Sequence, residues 1–331
     1  MKRGIDTFRP IYHRLFHHRT RLVIQVARNL LSARGRAKNK ILRRDWAWHM
    51  ARFKALEARC YLEAKLDGNL TLFANPDDLA VGKTVFLRGN WEPAETDFIK
   101  RYVKPGMMVF DIGANIGAHT LLIAKQVGEN GHVHAFEPSA ANEYLSRNVQ
   151  VNQFNNTTVN AVALSDKPGT LRLTRALPGL EAFSSVGRPT FTESFSGFYD
   201  APAETLDDYV SQYQIPSIDL AKMDVEGAEI VILKGAQRIL HAGIIKAWLF
   251  EINAPILESI GESASELEHL FESANYQLFL LSDTGQPQPF RSSDVKKNRN
   301  VLALHPSILE DMNKMDGRWG SAFKNTVLPT T

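Results

Sequence analysis

The sequence lacks several features that would point to common classes of protein. Cys60 is its only cysteine, which excludes an intramolecular disulfide and a zinc site built from cysteines. The G-x-G-x-x-G pattern, which brings a pyrophosphate to a helix N-terminus, is absent. The apolar stretch 22–27 lies between Arg21 and Arg28 and is too short to cross a bilayer. The chain start also lacks the small-residue cleavage pattern of a signal peptide, so we expect a cytoplasmic location.

The charge of the chain is unevenly distributed. Residues 1–60 contain 16 Lys and Arg against three acidic residues, a net charge of +13. Because the whole chain carries +3, the remaining 271 residues sum to −10. A basic helical arm of this kind either packs on the core or lies on an anionic membrane or acidic partner. A mitochondrial transit peptide has a similar composition.

The most informative segment is the run Val109-Phe110-Asp111-Ile112-Gly113-Ala114-Asn115-Ile116-Gly117-Ala118-His119. An apolar strand leads into Asp111, a turn with Gly113, Asn115 and Gly117, and the start of an apolar helix. Glycine lets the backbone turn tightly and lets a ligand approach it closely. The pattern therefore predicts a cofactor site at the carboxyl end of a parallel strand, with N–H groups of the turn facing a carboxylate.

A second strand, 132–137, ends in Glu137, which lies 26 residues after Asp111. An acidic side chain at this position can accept both hydroxyls of a ribose. Asp111 would repel a pyrophosphate, but it suits the ammonium group of S-adenosylmethionine. We therefore expect S-adenosylmethionine as the cofactor rather than NAD.

Several motifs together resemble the FkbM-type S-adenosylmethionine-dependent methyltransferases. They occur in the family's order over about residues 70–305: 91–96 (WEPAET), 110–117 (FDIGANIG), 136–138 (FEP), 163–166 (ALSD), 205–208 (TLDD) and 222–229 (KMDVEGAE). The resemblance implies a Rossmann-like class I methyltransferase fold and methyl transfer to hydroxyl groups of sugars and natural products. Glu92, Glu95 and Thr96 resemble the family's segment before the first core strand, which implies that they cover the methionine end of the cofactor. The alternative is that they only form a helix N-terminus, with acidic residues in the first turn after Pro93.

The hydrophobic pattern predicts an α/β fold with a mostly parallel seven-stranded sheet and helices on both faces. We predict a basic, mostly helical extension (1–65), a methyltransferase domain (66–306) and a C-terminal tail (307–331). One helix runs from Asp45 through Leu62, and 66–90 is a strand-and-turn entry that contains the strand 70–74. The predicted strands are 107–111, 132–137, 157–164, 217–224, 245–252, and two near 276–282 and 299–304. The predicted helices are 94–103, 117–127, 139–152, 205–213, 227–241 and 263–274, and 165–204 is a short strand plus a long loop.

Five carboxylates fall at the carboxyl ends of predicted strands: Asp111, Glu137, Asp166, Asp224 and Glu251. Ligands of open α/β sheets bind at this edge. Ser165 and Asp166 follow the third strand, where this fold usually contacts the adenine amine; the alternative is a simple turn. Lys222 shares a strand face with Asp224 and is expected to be its charge partner rather than a base.

Methyl transfer requires a group that removes the proton of the acceptor hydroxyl. Asp224 and Glu226 are the candidate bases, and His119 is a rival in the first turn after the glycine loop. Glu226 has an alternative role as a helix-start residue, and His119 as a packing or capping residue. Glu251 is a candidate for orienting substrate hydroxyls. Asp224 and Glu251 could together hold a divalent metal, but no multi-ligand spacing supports such a site.

The leading hypothesis is O-methylation of a saccharide, glycolipid or secondary metabolite. The alternatives are an NAD-dependent sugar oxidoreductase, which the missing glycine motif disfavours, and an inactive methyltransferase fold that serves as a binding module. The expected partner is a small-molecule or glycan hydroxyl acceptor. Nucleic acid is not expected, because base-flipping signatures such as Asn-Pro-Pro-Tyr are absent and the basic charge lies outside the core. The aromatic segment with Phe183 and Phe191 is a candidate substrate lid.

Overall fold

The computed structural model describes residues 40–58, 61–176, 195–292, 295 and 298–309. Cys60, the predicted lid around Phe183, most of the basic arm and most of the C-terminal tail lie outside these residues. The chain divides into two units, Met1–Lys54 and Ala55–Thr331. Of the first unit the structure describes only helical residues of α1 (Lys40–Ala58). Among the described residues, no helix is long and apolar enough to cross a membrane.

The second unit begins with a hairpin of β1 (Leu62–Leu66) and β2 (Leu70–Ala74). The predicted helix is confirmed from Asp45 to Ala58, but its predicted end at Leu62 is wrong, because residues 62–66 alternate between buried and exposed. This period of two is the pattern of a strand. The turn predicted between the two strands is confirmed, and β1 extends across the predicted domain boundary at residue 65.

The elements that follow are helices and strands in mixed order. They are α2 (Val81–Arg88), α3 (Pro93–Tyr102), β3 (Met108–Ile112), α4 (Ala118–Val127), β4 (His132–Phe136), α5 (Ala141–Val151), β5 (Thr157–Asn160), β6 (Ala163–Leu164), β7 (Gly169–Ala176), β8 (Phe195–Glu204), α6 (Leu206–Gln212), β9 (Leu220–Met223), α7 (Glu229–Lys234), α8 (Gln237–His241), β10 (Ala247–Ile252), α9 (Ala254–Ile260), α10 (Ala264–Ser273), β11 (Gln277–Leu281), β12 (Pro287–Pro289) and β13 (Arg299–Leu304).

The main sheet has the strand order β12-β11-β13-β10-β9-β3-β4-β5. Strands β5, β4, β3, β9 and β10 pair in parallel, and β13 lies antiparallel between β10 and β11. This is the predicted seven-stranded arrangement with β12 added as an eighth, three-residue edge strand. The mostly parallel α/β fold is thus confirmed, and the strand number is corrected from seven to eight.

Both faces of this sheet are covered by apolar side chains. Trp248 and Phe250 of β10 pack in one hydrophobic cluster, whereas Leu249 packs in another. The same division separates Phe110 from Val109 on β3. Central parallel strands buried on both faces need nearly continuous apolar sequence, which explains why 245–252 and 107–111 were recognised as strands.

Other predictions were wrong in informative ways. The strand predicted at 157–164 is two strands, because β6 leaves the main sheet and joins a three-stranded sheet with β8 and β7. The segment 165–204, predicted as a short strand plus a long loop, contains two long antiparallel strands, β7 and β8. The helix predicted at 227–241 is broken at Gly235 into α7 and α8. Helices α2 and α9 were missed, although Asn253 caps α9 and Pro255 sits in its first turn, a standard start signal.

Candidate active site

A cavity of about 310 Å³ opens at the carboxyl ends of β3, β4 and β9. In the sheet order, β3 lies between β4 and β9, so the chain reverses its direction of winding here. Crevices at such switch points are the usual ligand sites of open α/β sheets. The predicted site residues that line the cavity are Glu92, Gly113, Asn115, His119, Glu137, Asp224, Glu226 and Glu251.

The turn after β3 is held in place by tight backbone packing. Gly113 has φ +80°, and a Cβ at this position would lie 1.8 Å from the backbone oxygen of Asp224. Gly117 has φ +93°, and its Cβ would lie 2.7 Å from Leu145. Both glycines therefore serve the approach of protein segments to each other. Neither contact involves the ligand approach that the sequence suggested.

The N–H groups of the turn are largely used within the protein. Those of Gly113 and Ala114 both donate to the Phe136 carbonyl at 3.0 Å, and that of Asn115 donates to Glu137 at 2.9 Å. The expectation that these groups face a ligand carboxylate is therefore wrong. The first turn of α4, after Gly117, is the remaining source of N–H groups on this side of the site.

Asp111 is fully buried and does not line the cavity. Thr120 donates to its Oδ2 at 2.5 Å, and its Oδ1 has no hydrogen-bond partner. Burial raises the pKa of Asp111, while Lys222 and Thr120 act in the opposite direction. Asp111 can therefore act on the site only through its neighbours, and it cannot make the predicted direct contact with an ammonium group.

Glu137 lines the cavity with its carboxylate held by two backbone N–H groups. Asn115 N–H donates to its Oε2 at 2.9 Å and Ser139 N–H to its Oε1 at 2.8 Å, which fixes the carboxylate plane. Each oxygen keeps a second acceptor position that can receive a hydroxyl. Burial raises the pKa of Glu137, and the hydrogen bonds from Ser139 and Asn115 lower it.

Lys222 is the buried cation of the site. It is 3% exposed, and its Nζ lies 3.0 Å from Asp224 Oδ2, so the predicted charge pair is confirmed. Burial acts to lower the pKa of Lys222, but the carboxylates of Asp224, Asp111, Glu95 and Glu92 outweigh it and raise the pKa. Lys222 thus stays charged and compensates several carboxylates at once.

A second group of carboxylates lies beyond Lys222. One carboxylate oxygen from each of Asp224, Glu226 and Glu251 lies within 4.8 Å of the other two. Burial, followed by the charges of Asp224 and Glu251, raises the pKa of Glu226 to about 9. Burial and Asp224 raise the pKa of Glu251 to about 7, against a hydrogen bond from Asn298 and the charge of Lys222. At neutral pH, Glu226 is therefore a neutral acid and Glu251 is poised between its two forms.

Ser165 and Asp166, the predicted adenine contacts, do not lie in the cavity wall. Ser165 is buried and bonds to Asp166 through its hydroxyl at 3.2 Å, while Asp166 is exposed. Neither residue lines the cavity, whose wall at this point is formed by residues 162–164. A cofactor contact from these two side chains stays a prediction.

Sequence reasoning missed the wall formed by the three-stranded sheet. Leu171 and Leu173 of β7 and Tyr199 of β8 line the cavity, with Phe136 at its side. The alternation of side chains along β7 and β8 carried the signal, but the Gly, Pro and Ser content of 165–204 obscured it. It also missed Glu229, a buried carboxyl whose pKa burial raises to about 8.

A family model described as "Methyltransferase FkbM domain" matches residues 111–278, half of the chain. The methyltransferase sdnD of Sordaria araneosa is 30% identical over 171 residues, which cover 42% of this chain and 66% of that protein. Part of that relative's length is thus unmatched.

Solved structures also resemble the chain. A SAM-dependent methyltransferase from Aquifex aeolicus is 15% identical with a TM-score of 0.36, covering 64% of this chain and 88% of its own. Aeropyrum pernix fibrillarin, solved with natively bound S-adenosyl-L-methionine, is 12% identical with a TM-score of 0.35, covering 61% and 68%. At these TM-scores the likenesses are too weak to support a functional conclusion.

The cavity fits the cofactor that the family uses. Its volume lies at the lower end of the usual range for small-molecule sites, about 300–1,000 Å³. Glu137 offers two acceptor positions to a ribose, and Leu171, Tyr199 and Phe136 offer apolar surface to a base. The buried, unpartnered Oε2 of Glu92 offers an acceptor to a cationic group. This chain therefore belongs to the FkbM methyltransferase family, and S-adenosylmethionine is its cofactor.

Proposed function

We propose that the protein transfers a methyl group from S-adenosylmethionine to a hydroxyl oxygen of a saccharide, glycolipid or secondary metabolite. The observation that carries this proposal is the cluster of Asp224, Glu226 and Glu251 in the cavity wall. A hydroxyl becomes a competent nucleophile when a nearby group accepts its proton. Three carboxyl groups with oxygens within 4.8 Å of one another suit an acceptor rich in hydroxyl groups.

The three carboxyls have different chemical roles because their surroundings differ. Asp224 is held by Lys222 at 3.0 Å, so its charge is already compensated. Glu226, with a pKa of about 9, donates a hydrogen bond at neutral pH and orients the acceptor. Glu251, with a pKa of about 7, has the value that general-base catalysis at neutral pH favours.

These roles define the proton transfer that accompanies methyl transfer. S-adenosylmethionine supplies an electrophilic methyl group on a sulfonium centre. Glu251 accepts the proton of the acceptor hydroxyl, and Asn298 fixes the direction of its carboxylate. The proton then leaves Glu251 for solvent. His119 is a poor base for this step, since burial and the charge of Lys222 lower its pKa well below the ordinary value.

The test uses S-adenosylmethionine with a labelled methyl group and a panel of sugars, glycolipids and polyketide alcohols. We expect a labelled methyl ether, and we expect Glu251→Gln to lower the rate by about 10²–10⁴-fold. The rate of the wild-type protein should rise with pH through about 7, and Glu251→Gln should remove that rise. The matched control is Glu258→Gln, an exposed residue outside the cavity wall.

Two outcomes count against the proposal. One is transfer of the label to amine acceptors with none to hydroxyls, which places the protein in another class of methyltransferase. The other is a Glu251→Gln variant with an unchanged rate and pH profile, which removes Glu251 as the base. Of the alternative functions, the family match disfavours the NAD-dependent oxidoreductase.

A further inference from the structure

The hairpin of β1 and β2 is fixed to the C-terminal half of α5 by two asparagine side chains. Asn148 accepts from the Phe73 N–H at 2.7 Å and donates to the Phe73 carbonyl at 2.9 Å. Asn152 makes the same pair of bonds with Thr71, at 2.9 Å and 2.7 Å. Each amide offers one donor and one acceptor, so it pairs with the open edge of β2 as a neighbouring strand would.

The spacing of the two elements explains this match. Asn148 lies in α5 and Asn152 directly follows its end. Four residues of a helix rise by about 6 Å, and the two residues from Thr71 to Phe73 span about 6.7 Å of a strand. The backbone groups of Thr71 and Phe73 point to the same edge of β2, because those of Leu72 point toward β1 in the antiparallel pair.

Asn148 makes a further hydrogen bond that Asn152 does not make. Its Nδ2 also donates to the Ile116 carbonyl at 2.8 Å, in the turn after β3. Asn152 Nδ2 donates instead to the Asn148 carbonyl at 2.7 Å, at the end of its own helix. Asn148 is fully buried, and both hydrogens of its Nδ2 are used. One amide therefore joins the hairpin to the turn of the cofactor site.

The peptide between Ile116 and Gly117 is held at both of its polar groups. The Ile116 carbonyl accepts from Asn148, and the Gly117 N–H donates to the Ala114 carbonyl at 2.9 Å. Gly117 directly precedes α4, and Leu145 of α5 fills the space that its Cβ would occupy. Leu145 and Asn148 are three residues apart, so they lie on the same face of α5. This face of α5 fixes the direction in which α4 begins.

The beginning of α4 faces the cofactor. Ala118 and His119, its first two residues, line the cavity. N–H groups in the first turn of a helix have no partner within the helix, and together with the helix dipole they favour a carboxylate. The methionine portion of the cofactor carries such a carboxylate. Its binding depends on the direction of these N–H groups, because hydrogen bonds weaken when the donor is misaligned.

We propose that Asn148 is a positioning residue for the cofactor: by holding the Ile116 carbonyl it directs the first turn of α4 toward the cofactor's carboxylate. Asn152 fastens the same hairpin without a bond to Ile116, and its role is limited to the stability of the hairpin. The inference goes beyond the proposed function, since it concerns the cofactor and is independent of the acceptor that is methylated.

The test is calorimetric titration of the full chain with two probes. The first is S-adenosylhomocysteine, which carries the carboxylate. The second is its decarboxylated analogue, S-adenosyl-3-thiopropylamine, which keeps the adenosine, the sulfur and the ammonium. The proteins are the wild type, Asn148→Ala and Asn152→Ala. Asn152→Ala is the matched control, because it removes the same residue type and the same pair of bonds to β2.

Asn148→Ala should weaken the binding of S-adenosylhomocysteine by roughly 10–100-fold, the usual worth of a hydrogen bond to a charged group. The decarboxylated analogue should bind Asn148→Ala and the wild type equally. Asn152→Ala should bind both probes like the wild type. Both variants lose a pair of bonds to β2, so both should unfold at lower urea concentrations than the wild type.

A milder variant keeps the inference testable if Asn148→Ala does not fold. Asn148→Ser leaves a smaller cavity and keeps one hydroxyl donor, which can serve only one of the two carbonyls. Its affinity for S-adenosylhomocysteine should lie between those of the wild type and Asn148→Ala, again with no change for the decarboxylated analogue. Circular dichroism checks the fold of each variant.

Three outcomes overturn the inference. Equal weakening of S-adenosylhomocysteine binding in Asn148→Ala and Asn152→Ala means that the hairpin as a whole supports the site. Equal weakening of both probes by Asn148→Ala means that its effect does not pass through the carboxylate. Wild-type affinity in both Asn148 variants means that the turn keeps its direction without the amide. These are binding measurements, so a failure to find a hydroxyl acceptor, which would contradict the proposed function, does not affect them.

Discussion

Replacement of Gly113 by alanine tests whether the turn after β3 is fixed by protein packing. An added Cβ would lie 1.8 Å from the Asp224 backbone oxygen, and this neighbour is backbone that cannot rotate away. The chain offers an unusually close control in Gly68. Gly68 has the same φ of +80°, but nothing lies within 4 Å of its added Cβ. Both substitutions incur the cost of a left-handed alanine, and only Gly113→Ala adds the collision.

The expected magnitudes follow from these two terms. A left-handed backbone costs an L-residue about 1–2 kcal/mol. Forcing atoms into a packed site costs about 1–3 kcal/mol more. We therefore expect Gly68→Ala to lower the free energy of unfolding by about 1–2 kcal/mol and Gly113→Ala by about 2–5 kcal/mol. Gly113→Ala should also displace Asp224, which lines the cavity, and weaken S-adenosylhomocysteine binding.

Urea unfolding gives the free energies and calorimetry gives the affinities. If Gly68→Ala and Gly113→Ala destabilise the protein equally and both bind S-adenosylhomocysteine like wild type, the reasoning is refuted. That result would mean that the turn can move away from Asp224 at little cost.

Three further predictions concern burial, protonation and the basic arm. Thr120→Val removes the donor to Asp111 Oδ2 and should lower the free energy of unfolding, measured in urea, by about 1–3 kcal/mol. Thr120→Ser keeps the hydroxyl and should lower it less. Equal losses in the two variants would show that the hydroxyl is unimportant. Burial raises the pKa of Glu226 from its ordinary 4.5 to about 9, so the folded state binds the proton more tightly than the unfolded state. The free energy of unfolding should therefore fall as pH rises from about 4.5 to about 9, and Glu226→Gln should flatten the decline; an unchanged slope would contradict the assigned shift. If the basic arm binds anionic membranes, the protein should sediment with phosphatidylserine vesicles in a salt-sensitive way, and deletion of residues 1–39 should abolish this. Sedimentation that persists after the deletion would contradict membrane binding by the arm.

Elements with strong periodic patterns were predictable from the sequence. The strands at 107–111 and 245–252 and the helices at 94–103 and 263–274 agree with β3, β10, α3 and α10 to within about two residues, the usual uncertainty of boundaries. Their apolar content reflects burial that local sequence already specifies. The segment 157–164 was harder to predict, because the local sequence does not indicate that the chain leaves the main sheet after Asn160 and that β6 joins another sheet.

The candidate site was predictable in part. The order of strands brings Glu137 and Asp224 to one edge of the sheet, and spacing alone is enough to infer this. The alternation along β9 likewise predicted that Lys222 and Asp224 form a pair, now found at 3.0 Å. The depth of Asp111 was not predictable, because it depends on the packing of Thr120 and α4 around it.

The sequence by itself determined the family, the parallel sheet and the cofactor, since these depend on residue order and on periods of two and 3.6 that local geometry imposes. Only the tertiary structure decided which acidic groups face the cavity and in what state. Glu92 and Asp111 are both carboxylic acids next to glycine or proline turns. Glu92 lines the cavity, whereas Asp111 is fully buried and does not reach it. Burial and neighbouring charge set their protonation, and these are properties of segments that meet only in the folded chain.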